Sequence, residues 1–252
     1  MAEKAFGWRI YGLGIIALGL LSLAWGDFQS GQTVPKAFPA RTELAYAVAI
    51  FLFTAGAGIE WRKTTAWAAA ALTLYYAIFV VLLMNGRVIL RNLDIYGAYS
   101  SAAEQLAVMA GALIIWASFA KIDDARAARL IRIGQILFGL CAVLFGGAHF
   151  VYMSLTAPLV PKWLPPGQEF WGYATGVFHI AGGLAIIINF RARLAAILLT
   201  VMYALFTPLA LMPELLATPT FFAWCENALN LVLVGVAWVV ADSLAPRRLT
   251  SA

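Results

Sequence analysis

The sequence predicts an all-α polytopic membrane protein: eight transmembrane helices as two four-helix bundles, related by a pseudo-two-fold axis along the membrane normal. Three observations predict it. Hydrophobic residues make up 63% of the chain and charged ones 12%, against roughly half and a quarter in soluble domains. The apolar residues fall into eight long runs joined by short polar links. The runs of the second half repeat those of the first. A soluble fold would have too little polar surface to cover such a chain.

A helix needs about 20 apolar residues to cross a bilayer. The runs cover approximately 8–26, 44–61, 65–84, 101–120, 131–152, 170–189, 194–212 and 222–241. Backbone polar groups in lipid must be paired within the segment, so these runs are helices rather than open strands. Trp8, Trp25, Trp61, Tyr96, Tyr99, Trp163 and Trp171 lie near run ends, as interfacial anchors do. The first run follows Lys4 and Arg9 and looks superficially like a secretory signal. Its own repeat in the second half argues that it is a retained core helix. In the seventh run, Pro208 is expected to kink the helix.

The links alternate in charge. Lys4, Arg9, Arg62, Lys63, Lys121, Arg126, Arg129, Arg132, Arg191, Arg193, Arg247 and Arg248 fall on one side. Lys36, Arg41, Arg87, Arg91 and Lys162 fall on the other, and the two groups account for all 17 basic residues. Basic links stay in the cytoplasm, so both termini are expected there, in a bacterial-type inner membrane. The net charge of +5 is thus a set of membrane flanks. There is no long basic run to bind nucleic acid. The lipid bilayer is the partner that the composition implies.

The repeat divides the chain into 1–122 and 123–252. The seam lies in the basic link from Lys121 to Arg132, expected to be helical and continuous with the fifth run. Arg9, Gly14, Gly19 and Gly26 answer Arg129, Gly134, Gly139 and Gly146. Val34-Pro35-Lys36 answers Val160-Pro161-Lys162, Glu43 answers Glu169, and Ala55-Gly56 answers Ala181-Gly182. Leu72-Thr73, Tyr76 and Phe79 answer Leu199-Thr200, Tyr203 and Phe206. Glu104-Gln105 answers Glu226-Asn227. Four helices per half is an even number, so the copies share one orientation across the membrane.

The second half carries Gly146-Gly147-x-His149-Phe150 and then Thr156-Ala157-Pro158-Leu159-Val160-Pro161-x-Trp163-Leu164-Pro165. Phe170, Thr175-Gly176, His179, Ala181-Gly182-Gly183 and Arg191-x-Arg193 follow. With these features, about 129–241 resembles the DoxX-like family of small four-helix membrane proteins. The first half resembles it only as a worn copy: Asp27-Phe28 stands in place of His149-Phe150, and Phe53 in place of His179. The resemblance implies a fused duplication. It also implies a redox association, because founding members of that family are membrane subunits of a thiosulfate:quinone oxidoreductase. A quinone-interacting membrane subunit, with a redox partner protein, is the function that follows. A small-solute transporter or permeation unit, and a membrane scaffold for a soluble partner, are the alternatives.

The residues themselves carry no dinucleotide or iron–sulfur motif and no metal-ligand spacing, so they make no cofactor evident and no metal is expected; a quinone is what the resemblance implies. Cys141 and Cys225 lie far apart inside apolar runs and are expected to be buried thiols. The candidate ligand-binding residues are His149, Glu226, Asp27, Glu104 and His179. Ionisable groups within apolar runs usually face the bundle interior. Glu104 and Glu226 either reach the outer interface, face an outward cavity, or complement a helix N-terminus. The histidines either bond a neighbouring helix or serve a quinone or a proton, since imidazole titrates near neutrality. At 1.5 Å rise per residue the two are expected to differ in depth by about 9 Å, too far to share an axial ligand set. Pro161, Trp163 and Pro165 are expected to rigidify the outer loop or to cover a cavity. Arg87, Arg91 and Asp94 read as an ordinary solvated surface, and Glu60 as part of an inner interface cluster.

Overall fold

A computed structural model describes residues 5–245. The expected cytoplasmic positions of Lys4, Arg247 and Arg248 lie outside the described residues. Among these residues the fold is entirely helical, without strands. Eight helices are long and apolar enough to cross a bilayer, the architecture of a multi-pass membrane protein. They are α1 (Gly7–Trp25), α2 (Arg41–Glu60), α3 (Thr65–Arg91), α4 (Tyr96–Phe119), α5 (Asp124–Val151), α6 (Gln168–Ile187), α7 (Ala192–Ala217) and α8 (Phe221–Ser243). Every apolar run of the sequence becomes one of them.

Helices α4 and α8 form the centre. Their apolar windows are each 72% buried, against 22–50% for the other six. They touch each other, and both are rich in alanine, glycine and valine, which lets helix backbones approach closely in lipid. Helix α1 packs on α2 and on α8; α5 packs on α6 and on α4. Contacts therefore cross between the two halves: each half's first helix leans on the other half's last. Helices α3 and α7 lie outermost, against α4 and α8 respectively. On α7, Leu194, Leu198, Val201 and Leu205 are exposed at spacings of three or four residues, an apolar stripe suited to lipid chains.

Polar contacts fix the helix ends. Asp123 caps α5 by accepting the Arg126 N–H at 2.8 Å, so the seam is helical from Asp124 onward. Arg132 reaches from α5 to the end of α6, donating to the Ile186 carbonyl at 3.0 Å and also to that of Ile187. A cation there suits both the unpaired carbonyls and the helix dipole. Asp242 accepts the Gly7 N–H at 3.2 Å and does the converse at the start of α1. Arg9 pairs with Glu60 at 3.2 Å, which joins α1 to α2 at one end. Arg87, expected to be merely solvated, donates to the Thr33 carbonyl at 2.9 Å and holds the α1–α2 segment.

Both third helices depart from α-geometry. Tyr75–Asn85 and Thr207–Leu211 are π-helical. Pro208 lies within the second of these, so the expected kink is realised as a widened turn. Each stretch is held by a buried asparagine. Asn85 donates to the carbonyls of Val80 and Gly31 at 2.9 and 3.0 Å. Asn230 donates to the Tyr203 carbonyl and the Thr207 hydroxyl, both at 2.9 Å. Cys141 and Cys225 are buried free thiols.

Candidate functional site

Two glycines set the site. Gly146 on α5 and Gly176 on α6 meet where the helices cross. A Cβ on Gly146 would lie 2.6 Å from the Gly176 carbonyl oxygen, and one on Gly176 would lie 3.0 Å from the Cβ of His149. Only glycines permit that approach. Three residues beyond each glycine, on nearly the same helix face, come His149 and His179. Their rings stand 5.2 Å apart, centroid to centroid.

This corrects the expected separation in depth. Counting rise along the helices treated His149 as lying at the outer end of its helix. The chain does not leave the protein after Val151. It continues as a short helix, Met153–Thr156, and a 3₁₀ turn, Ala157–Leu159. That segment covers His149, and side-chain reach closes the remaining distance.

The histidines border a cavity of ≈ 420 Å³. Glu104 of α4, Trp171 and Thr175 of α6, Tyr203 and Phe206 of α7, and Asn230 of α8 contribute to its wall. The π-helical stretch of α7 supplies Leu209, Ala210 and Leu211 to the same wall, so the widened turn shapes the space. The roof includes Leu159, Pro161 and Leu164. Gln168 ties it down by donating to the Val160 carbonyl at 2.6 Å, and Trp171 donates to the Pro165 carbonyl at 2.9 Å. Pro161 and Pro165 thus belong to a cover over a cavity. Trp163, 72% exposed, points away from it.

Each imidazole is anchored by Nδ1. His179 bonds the Thr175 carbonyl at 2.9 Å and His149 the Gly172 carbonyl at 3.1 Å. A carbonyl only accepts, so His179 Nδ1 carries hydrogen; His149 Nδ1 has both a carbonyl and a hydroxyl within reach and can serve as donor or acceptor. The Thr175 hydroxyl lies 3.0 Å from His149 Nδ1 and is itself within reach of the Trp171 and Gly172 carbonyls. Aromatic rings enclose His179: Tyr203 at 5.4 Å, Phe145 at 6.0 Å and Phe206 at 6.1 Å. The Tyr203 hydroxyl is buried with no hydrogen-bond partner among the described residues.

The five candidate residues therefore divide. His149, His179 and Glu104 share the cavity. Asp27 and Glu226 do not line it. Asp27 pairs with Arg41 and accepts the Phe28 N–H at 2.6 Å; Glu226 accepts the Ser30 hydroxyl at 2.9 Å. Both hold the segment between α1 and α2, which is itself buried at Phe28, Gln29 and Gln32. Gln29 donates to the Tyr76 hydroxyl at 3.3 Å. Sequence reasoning did not select Tyr203, although its match with Tyr76 was visible, nor Asn230, a lone amide inside an apolar run. Among the described residues, no group of three or more His, Cys, Asp or Glu is placed to hold a metal ion.

Compared with known families, the chain matches the model of a domain of unknown function, DUF8561, over residues 138–241. The matched stretch is less than half of the 252 residues. It runs from within α5 to near the end of α8 and includes both histidines. No curated protein and no solved structure matches the chain.

Proposed function

We propose that the second half of this protein binds a small, largely apolar, ring-bearing molecule of the quinone class in the His149–His179 cavity, as part of a redox-associated membrane subunit. One observation carries the reading: two imidazoles, each held by Nδ1, turn toward a cavity of ≈ 420 Å³ walled by Phe145, Phe206, Tyr203 and Trp171. Small-molecule sites span roughly 300–1,000 Å³, mostly apolar with a few convergent polar groups. The resemblance to DoxX-like proteins, whose founders serve a quinone-dependent enzyme, points to the same ligand class.

The surrounding scaffold, in this proposal, is a fused duplication with units 1–122 and 123–252 about a pseudo-two-fold axis along the membrane normal. The support is a matched set of contacts. The pairs α1–α2 and α5–α6, α1–α8 and α5–α4, and α3–α4 and α7–α8 correspond under the repeat. Thr73 bonds the Ala69 carbonyl at 2.7 Å and Thr200 the Ala196 carbonyl at 2.8 Å, one contact twice over. In the same proposal both termini lie in the cytoplasm of an inner membrane and the roofed cavity near the outer face; the alternation of basic links supports that orientation.

The test is titration of the purified protein, in lipid nanodiscs, with a short-chain benzoquinone/hydroquinone pair, beside organic extraction of the same sample. Saturable binding that weakens in His149→Leu and His179→Leu is expected. Unchanged affinity in both variants overturns the site. Solute flux in proteoliposomes without any binding of the pair would favour a transporter instead.

A further inference from the structure

The hydrogen-bonding character of the cavity selects among ligands. The Nδ1 hydrogen of His179 is committed to the Thr175 carbonyl. A neutral imidazole then offers only a lone pair at Nε2. An imidazolium at His179 would be a charge 2% exposed among Phe145, Tyr203 and Phe206, with no ion pair to either histidine among the described residues. Such burial of an unpaired charge is strongly unfavourable. Neither Nε2 takes a hydrogen bond among the described residues. Glu104 adds a carboxyl to the same wall. The unpaired lone pair of His179 Nε2 therefore needs a donor.

The first half offers an internal comparison. Tyr76 occupies the repeat position of Tyr203. Its hydroxyl faces an N–H of the buried Gln29 at 3.3 Å. Where the chain fills this interior with its own side chain, the group it brings to the tyrosine is a donor. In the second half the Tyr203 hydroxyl has no hydrogen-bond partner among the described residues.

We infer that the cavity takes its ligand as an aromatic alcohol, a phenol or hydroquinone, with an O–H group that donates to Nε2 of His179 while the ring lies among the aromatic walls. This rests on the proposed reading of the cavity as a quinone-class site and deepens it. A dione has carbonyl oxygens alone and cannot donate to that lone pair. The hydroquinone supplies the donor.

Three probes separate these features: a short-chain 1,4-benzohydroquinone, its 1,4-dimethyl ether, and the matching benzoquinone. The ether keeps the ring and removes the donors without any redox chemistry. Binding is measured in lipid nanodiscs, corrected for partition into empty discs. The hydroquinone is expected to bind about tenfold more tightly than the ether, as one or two net hydrogen bonds would give. The preference should disappear in His179→Leu. Equal affinity for hydroquinone and ether, or tighter binding of the benzoquinone, overturns the inference and leaves the cavity reading standing. Binding of none of the three overturns both. The ether comparison uses the unaltered chain, so it holds even if a variant fails to fold.

Discussion

Asn230 crosses from α8 to α7 and gives its amide to the Tyr203 carbonyl and the Thr207 hydroxyl, both at 2.9 Å. It does so at the entry to the π-helical turn that contains Pro208, where regular helix pairing is interrupted. The bond fixes the turn, and the turn shapes one wall of the cavity. Asn230→Leu should cost about 1–3 kcal/mol, the cost of an orphaned buried carbonyl. A lower melting temperature in detergent, with faster amide exchange at 203–211, is the expected outcome. Unchanged exchange there would show that the turn holds itself.

The two tyrosines of the repeat make a matched test. The Tyr203 hydroxyl has no partner among the described residues, so Tyr203→Phe should leave stability unchanged or slightly improved. Tyr76 accepts from Gln29, so Tyr76→Phe should cost about 1 kcal/mol of stability. Both hydroxyls are buried, so ligand affinity should be unchanged in either variant. Thermal melts and binding isotherms of the two variants check the contrast.

Gly176→Val should separate α5 from α6. Even a single added carbon would lie 3.0 Å from His149 Cβ and 3.2 Å from the Gly146 carbonyl. Overpacking of this kind costs about 1–3 kcal/mol. The two imidazoles would also be driven apart, so probe binding is expected to fall by more than the stability loss accounts for. A variant that melts lower but binds normally would uncouple the glycine contact from the site.

Asp27→Asn should do little. Its carboxylate pairs with Arg41 at a partly exposed position outside the cavity. Such pairs contribute about 0–1 kcal/mol. Normal ligand affinity and a melting temperature within a few degrees of the parent are expected. A marked loss of affinity would return Asp27 to the site.

Arg132→Gln should loosen the end of α6. The guanidinium serves the carbonyls of Ile186 and Ile187, charge-assisted bonds worth about 1.5–3 kcal/mol. Faster amide exchange confined to the last turn of α6 and the α6–α7 link is the readout.

Much of the architecture was legible because hydrophobic run length is a strong signal and every run became a helix. The two histidines border one cavity, yet their mutual distance was misjudged. Rise along a helix measures backbone depth, whereas the roof at Met153–Leu159 and the length of two side chains decided where the rings lie. Asp27 and Glu226 shared the repeat positions of cavity-facing groups in the sequence, but they turn to the buried segment around Gln29 instead. That segment reads as an ordinary polar link, and nothing local marks it as interior. The π-helical turns were equally hidden: Pro208 announced a disturbance, but Tyr75–Asn85 contains no proline or glycine at all.

Gln29 and its neighbours Phe28 and Gln32 already occupy the interior beside Tyr76. The place in the first half that matches the histidine-lined cavity is thus filled, and the cavity's occupancy cannot speak to a twin. A lone chain should therefore fill along a plain hyperbola, with a Hill coefficient of about 1 and one guest per polypeptide at saturation. Any steeper curve would have to arise between separate copies in the membrane.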